Sequence, residues 1–415
     1  MGVLLRAGVP AGRGVHARLH LASHSRAGGP LTLNRAFTCV CGQPIFFRNS
    51  VCLGCGRALG YDAARGKLLP LEPTDEPGWW RSSETGTRQR TYRRCDNLSS
   101  AAACNWLIPP ARARDKTPSL CLCCRLTRTL PDLNVPEHAG WWHRIEQAKR
   151  RMVSSLLALR LPIVPRSEDP QRGLAFDILV SQPGLPPVVT GHAEGVITLD
   201  AAEADDATRE HRRTSLREPY RTLLGHLRHE SGHYFWQRLV DGKEWLEPFR
   251  AIFGDERADY AQALQNHYHH GAAADWSSRH VSAYASCHPW EDWAETWAHY
   301  LHMRDTLGTA RGFGIRGDRV ELVCEPFGPD VLSEDGASSG PLDATDEQFL
   351  LWLNHWLHLT VALNEISRSM GVADFYPFVL SRPAVRKLHL VHRVIAHHTP
   401  QGGRRRQPVA PAPQS

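Results

Sequence analysis

Nine of the eleven cysteines in this 415-residue chain fall between Cys39 and Cys124, and they come in close pairs. Cys39 and Cys41 are followed, ten residues on, by Cys52 and Cys55, with Gly56 directly behind. Two thiol pairs on tight turns, separated by a short hairpin, can hold four thiolates tetrahedrally around one zinc ion. The first pair departs from the usual spacing, with one intervening residue where two are common. Cys95, Cys104, Cys121 and Cys124 form a second, looser set, in which Cys123 is an extra thiol able to replace a neighbour. Disulfides in an exported protein are the competing explanation. No signal-peptide core followed by a cleavage site is visible, so thiolates holding one or two structural zinc ions in a reducing cytoplasm fit better. Structural metal would replace the apolar core that so short a segment cannot build. Cys287 and Cys324 stand apart and read as free thiols.

The second constraint is His229-Glu230-Ser231-Gly232-His233. On a helix, residues four apart project from one face a turn apart, so His229 and His233 can share a metal ion. Glu230 then stands beside the ion, placed to take a proton from metal-activated water. Leu223, Leu224, Leu227, Phe235 and Leu239 supply an apolar helical stripe, and Pro219 sits early enough for a helix to tolerate it. Gly225 and Gly232 weaken such a helix slightly, and a glycine facing a metal site often reflects crowding. The chain has 23 histidines, so a chance match on a buried helix is the competing reading.

A zinc site that keeps one position for water needs a third protein ligand. A helix starting near Pro289 would put Trp290, Trp293, Trp297 and Leu301 on one face, and Glu291, Glu295 and His299 on another. Glu291 suits a ligand, and Glu295 suits an acceptor for the N–H of a ligating histidine. Asp255, Glu256 and Asp259 form a rival carboxylate cluster, although Arg257 among them fits an ordinary surface ion-pair group. His267, His269 and His270 read as a polar loop.

Charge is unevenly spread. Residues 1–150 hold 22 Lys and Arg against 10 Asp and Glu, and the rest holds 27 against 33. A basic amino-terminal part can contact nucleic acid, but 44 of the 49 basic residues are Arg, a bias that suits GC-rich coding. Nucleic acid is therefore not an expected partner. No run of eighteen apolar residues exists, so no membrane span is expected. The segments read as follows: a disordered leader over 1–36, a zinc-ribbon region over 37–130, a connecting helix within 131–165, a main domain over 166–398 and a disordered tail over 399–415. Within the connector, the apolar pattern from Trp141 to Leu161 predicts an amphipathic helix ended by Pro162 and Pro165. Gly191 to Leu199 reads as a turn and a strand.

Several of these segments resemble a bacterial family of zinc-binding metallopeptidases with an amino-terminal zinc ribbon. They are the run from Tyr220 through Gly232-His233-Tyr234, Phe253-Gly254-Asp255-Glu256, the run from Pro289 to His302, Cys104-Asn105-Trp106 and Tyr376-Pro377-Phe378, and the likeness extends from about Phe37 to His398. It implies an α+β chain: a mainly helical, gluzincin-like peptidase domain of zincin type with a small sheet, preceded by the Cys-rich ribbon. A more distant likeness to anthrax lethal factor, where a tyrosine seven residues before the third ligand faces the metal, implies an oxyanion-donor role for Tyr284. A core tyrosine is the alternative there. The function expected is hydrolysis of peptide bonds in a peptide or protein substrate, with one catalytic zinc and Glu230 as general base. Two other classes remain open: a ribbon adaptor that binds protein or nucleic acid beside a non-catalytic peptidase-like domain, and a zinc hydrolase of non-peptide amides.

Overall fold

The computed structural model describes residues 35–84, 90–110, 117–215, 221–321, 325–333 and 342–399. The leader through residue 34, the tail from residue 400, Pro219, Tyr220 and Cys324 lie outside the described residues.

The amino-terminal thiols sit on the ends of short strands. Strands β1 (Ala36–Thr38) and β2 (Pro44–Phe46) pair antiparallel, and Cys39 and Cys41 lie in the turn between them. Gly42 in that turn takes a φ of +88°, a left-handed conformation open to glycine without strain. An antiparallel meander follows, formed by β3 (Leu59–Asp62), β4 (Lys67–Pro73), β5 (Trp79–Ser82), β6 (Thr91–Arg94) and β7 (Leu107–Ile108). Cys95 follows β6 and Cys104 precedes β7. Cys121 caps the short helix α1 (Leu122–Arg125), which contains Cys124.

The second sheet explains the helix expected near residues 141–161. Strands β8 (Thr127–Thr129) and β9 (Ala175–Leu179) pair in parallel. Parallel neighbours need a long crossover, and helix α2 (Pro136–Ala158) is that crossover. It buries Trp142, Ile145, Met152, Val153 and Leu156, so it is part of the main core rather than a connector. Likewise β8, which sequence reasoning placed at the end of the ribbon region, is a strand of the main sheet. The sheet is completed by β10 (Gly191–Ala193) and β11 (Val196–Asp200), in the order β10-β11-β9-β8, with β10 on one edge. Glu194 (φ +48°) and Gly195 (φ +83°) make the tight turn between β10 and β11, so this stretch is a hairpin rather than a single strand.

The remainder is helical: α3 (Asp206–Ser215), α4 (Leu223–Leu239), α5 (Leu246–Phe253), α6 (Tyr260–His270), α7 (Pro289–Gly312), α8 (Ala344–Ser369) and α9 (Arg382–His398). Helix α7 is the axis, packed against α4, α5, α8 and α9. Its start follows from Pro289 at the first helical position and from His288, whose Nδ1 accepts the Trp290 N–H at 3.1 Å. Among the described residues, no helix is long and apolar enough to cross a membrane.

One continuous core joins the two halves, running from Cys39, Tyr61 and Trp106 through α2 to Trp297, Trp352 and Ile395. A buried charge ties the same elements together. The Asp305 carboxylate on α7 accepts from Arg35 just before β1 (3.1 Å), Arg151 of α2 (2.8 Å) and Arg228 of α4 (2.8 Å). Burial alone would raise the Asp305 pKa, but the three guanidinium groups outweigh it and hold the carboxyl below its usual range. Removing this carboxylate leaves cations buried without compensation. Asp305→Ala should therefore cost about 3–5 kcal/mol, measured as a lowered denaturant midpoint.

Candidate metal centre

The central site forms where α4 and α7 touch. Helix α4 begins at Thr222, whose hydroxyl accepts the Gly225 N–H at 2.9 Å. A β-carbon on Gly232 would lie 2.9 Å from the Ala294 α-carbon and 3.2 Å from the Trp297 β-carbon. The glycine thus permits the close approach of the two helices. Trp293 Nε1 donates to the Gly232 carbonyl at 3.0 Å, and Trp297 Nε1 donates to the Ser231 hydroxyl at 3.1 Å. These bonds set the helices in register.

That register brings His229, His233 and Glu291 together. Their Nε2, Nε2 and carboxylate donor atoms all lie within 4.8 Å of one another. The two Nε2 atoms are 3.2 Å apart, and Glu291 Oε2 is 2.9 Å from the His229 nitrogen and 3.5 Å from that of His233. His229 Nδ1 donates to Glu295 Oε1 at 2.7 Å, which leaves Nε2 as the ring nitrogen that faces Glu291 and His233. Ser282 donates to Glu295 Oε2 at 2.5 Å and completes that support. Glu291 Oε2 is buried without a hydrogen-bond donor. Donor atoms that converge in this way call for positive charge between them, a proton on His229 or a metal cation, and the set of two imidazoles and one carboxylate suits zinc.

The electrostatics agree. Burial opposes charge on His229, yet Glu291 and Glu295 outweigh it and hold the ring well above the usual imidazole range. Burial likewise opposes charge on Glu295, but His229 brings its pKa down to about 2. The pocket therefore favours positive charge at its centre. Glu230 directly follows His229 on α4, feels the charges of His229, His233 and Glu291, is 7% exposed, and its Oε2 has no hydrogen-bond partner. Burial raises its pKa, which makes it a more willing proton acceptor than an exposed carboxylate.

Other predicted residues fall at varied distances from this centre. The Tyr284 ring lies 5.9 Å from the ring of His229, with its phenol pKa raised by burial. The rival carboxylates are not in the ligand group. Asp255 is paired with Arg257 at 2.7 Å, Glu256 with Arg250 at 2.6 Å, and Asp259 caps α6. His267, His269 and His270 belong to α6, so the expected loop is a helix. His299 shares a 2.6 Å hydrogen bond with Tyr376 and is not in the ligand group.

Two residues of the site were not found from sequence. The Tyr260 hydroxyl donates to Glu291 Oε1 at 2.6 Å. His192 of β10 stacks near His233, with ring centroids 6.3 Å apart, and its Nε2 accepts the Gly195 N–H at 3.0 Å. Burial, helped by His233, lowers the His192 pKa to about 3 and keeps it neutral. Neither residue stands at a revealing spacing from the ligands, and only the folded chain brings them in.

The cysteines form two further groups, Cys39, Cys41, Cys52 and Cys55, and Cys95, Cys104, Cys121 and Cys124. Sulfur separations of 3.7 Å (Cys39–Cys55), 3.7 Å (Cys41–Cys52) and 3.6 Å (Cys104–Cys121) are far beyond a disulfide bond, and all ten described cysteines are free. Cys123 is buried outside the second group.

Comparison with known proteins agrees with this donor chemistry. Residues 138–394 match the family described as "Putative zinc-binding metallo-peptidase", and residues 36–135 match a zinc-ribbon domain. The chain belongs to this zinc-binding metallopeptidase family. Uncharacterized proteins of Mycobacterium bovis and of two Mycobacterium tuberculosis strains are 41% identical to it over 368 residues, 88% of this chain and 96% of theirs. No solved structure matches significantly.

Two outcomes follow from the geometry. Elemental analysis of the purified chain should find three zinc ions, one per donor group, and His229→Ala should leave two. Gly232→Ala should push α4 from α7, lowering stability by about 1–3 kcal/mol in denaturant titration and emptying the histidine site first.

Proposed function

We propose that the protein is a zinc peptidase of gluzincin type, with Glu230 as the general base. The observation that carries this reading is the buried Glu230, whose Oε2 has no hydrogen-bond partner, next to three convergent metal donors. His229, His233 and Glu291 hold the ion, and Glu295 orients His229. A bound zinc ion would supply the positive charge that lowers the pKa of water and polarises a carbonyl. Glu230 takes the proton of the attacking water and returns it to the leaving amine. Tyr284, beside His229, donates a hydrogen bond to the developing oxyanion.

The free edge of β10 supports a peptide substrate. An extended peptide can add to such an edge through main-chain hydrogen bonds, and His192 on β10 borders His233. The two four-cysteine groups hold structural zinc, and their unpaired thiols suit a reducing cytoplasm. Family membership supports hydrolysis as the chemistry, because the metal donors and the base lie inside the matched peptidase region.

Glu230→Gln keeps the shape of the side chain and removes its basicity. The variant should bind the wild-type complement of zinc while losing about 10²–10⁴-fold or more of its peptide turnover, measured on a fluorogenic peptide library with a chelator control. Unchanged turnover in a zinc-loaded Glu230→Gln protein would falsify this role.

A further inference from the structure

Helix α6 is unlike the other elements around the metal centre. Along Tyr260–His270 no side chain is buried. The chain enters the segment through Gly254 (φ +102°) and leaves it through Gly271 (φ +75°), both in left-handed conformations suited to glycine. Without buried apolar side chains, such a helix is held less firmly than its buried neighbours.

Several of its inward contacts reach the metal centre. Besides the Tyr260–Glu291 hydrogen bond, the Tyr260 ring meets Trp290 edge-on at 5.7 Å, and Trp290 covers His233 at 3.9 Å. At the other end, the His267 ring meets Tyr284 at 5.7 Å, and Tyr284 borders His229. Tyr260 is 37% exposed, so its hydroxyl is carried to a buried carboxylate from the surface. The two oxygens of Glu291 are thereby divided. Oε2 faces the histidine nitrogens, and Oε1 is taken by the phenol. A carboxylate with both oxygens free can grip a cation with both and crowd out water. One whose second oxygen accepts a hydrogen bond is held to a single contact.

We propose that Tyr260 is a positioning residue that keeps Glu291 a one-oxygen metal ligand, and that α6, which carries it, is a movable cover over the site. The position of α6 and the number of open places around the metal are then linked through one hydroxyl. This rests on the zinc site proposed above, but not on its hydrolytic activity.

The test uses full-length protein with zinc in the cysteine sites and cobalt exchanged into the histidine–glutamate site. In Tyr260→Phe the visible cobalt bands should weaken, as Glu291 turns to two-oxygen binding and coordination rises. Affinity for zinc at that site, read by chelator competition, should change by about 10- to 100-fold, with the cysteine sites unaffected. Hydrogen exchange over residues 259–271 should speed up in the variant while that of α4 stays the same. Retention of both cysteine-bound zinc ions reports that the variant is folded. Identical cobalt spectra and zinc affinities in the two proteins would overturn the proposal, as would unchanged exchange across α6. A wild-type chain that takes up no third metal would overturn both this proposal and the zinc site. One that binds three metals yet cleaves no peptide would remove only the hydrolytic reading, and the cobalt comparison would still decide the role of Tyr260.

Discussion

The contact between α4 and α7 at Gly232 and Ala294 is the constraint on which the metal centre depends. Two histidines on one helix supply only part of a zinc site. The carboxylate must come from elsewhere, at a distance set to a few tenths of an ångström. Absence of a side chain at position 232 lets the backbones approach, and two tryptophan N–H groups bonded into α4 hold the register. Once that register is set, Glu291 and Glu295 face His229 from successive turns of α7. The Glu295 hydrogen bond to His229 and the proposed Glu291 ligand contact thus arise from the same helix pair.

Much of this centre was legible in the sequence because it lies on two helices with regular spacing. A period of four on α4 puts His229 and His233 on one face, and the same period on α7 puts Glu291 and Glu295 on another. The cysteine pairs were legible for a related reason, since local turns bring the paired thiols close. Tyr260 and His192 come from a surface helix and an edge strand, and neither has a periodic relation to the ligands. Their places depend on long-range packing that no local pattern encodes. The segment around Asp255 drew attention for its carboxylates, yet these are consumed by Arg250, Arg257 and the cap of α6, and the tyrosine beside them reaches the site. The crossover role of α2 was hidden likewise, because β8 has only three residues and becomes recognisable only when paired with β9.

The chain presents two kinds of donor environment. Eight cysteine sulfurs are gathered by turns and a short helix, and soft sulfur donors in sets of four suit a closed metal site. The third set has nitrogen and oxygen donors, a buried carboxylate with an unmet hydrogen-bonding atom, and aromatic rings around it. Asp305 adds a fixed charge nearby, since Arg228, one of its partners, directly precedes His229. The candidate metal centre is therefore seated on a charged framework that reaches back to Arg35, just before β1.

The continuity of the core from Cys39 to Ile395 bears on how such a chain can change over evolution. Two family regions meet near residue 136, a boundary that suggests interchangeable modules. Mechanically there is no seam at that point. Arg35 closes a bond with Asp305 across 270 positions of sequence, and β8 crosses the boundary to complete the main sheet. A recombination event that replaced the ribbon would strip the main body of one strand and of a buried counter-charge. Arg35 and β8 are therefore structural parts of the main body, whatever their place in the sequence.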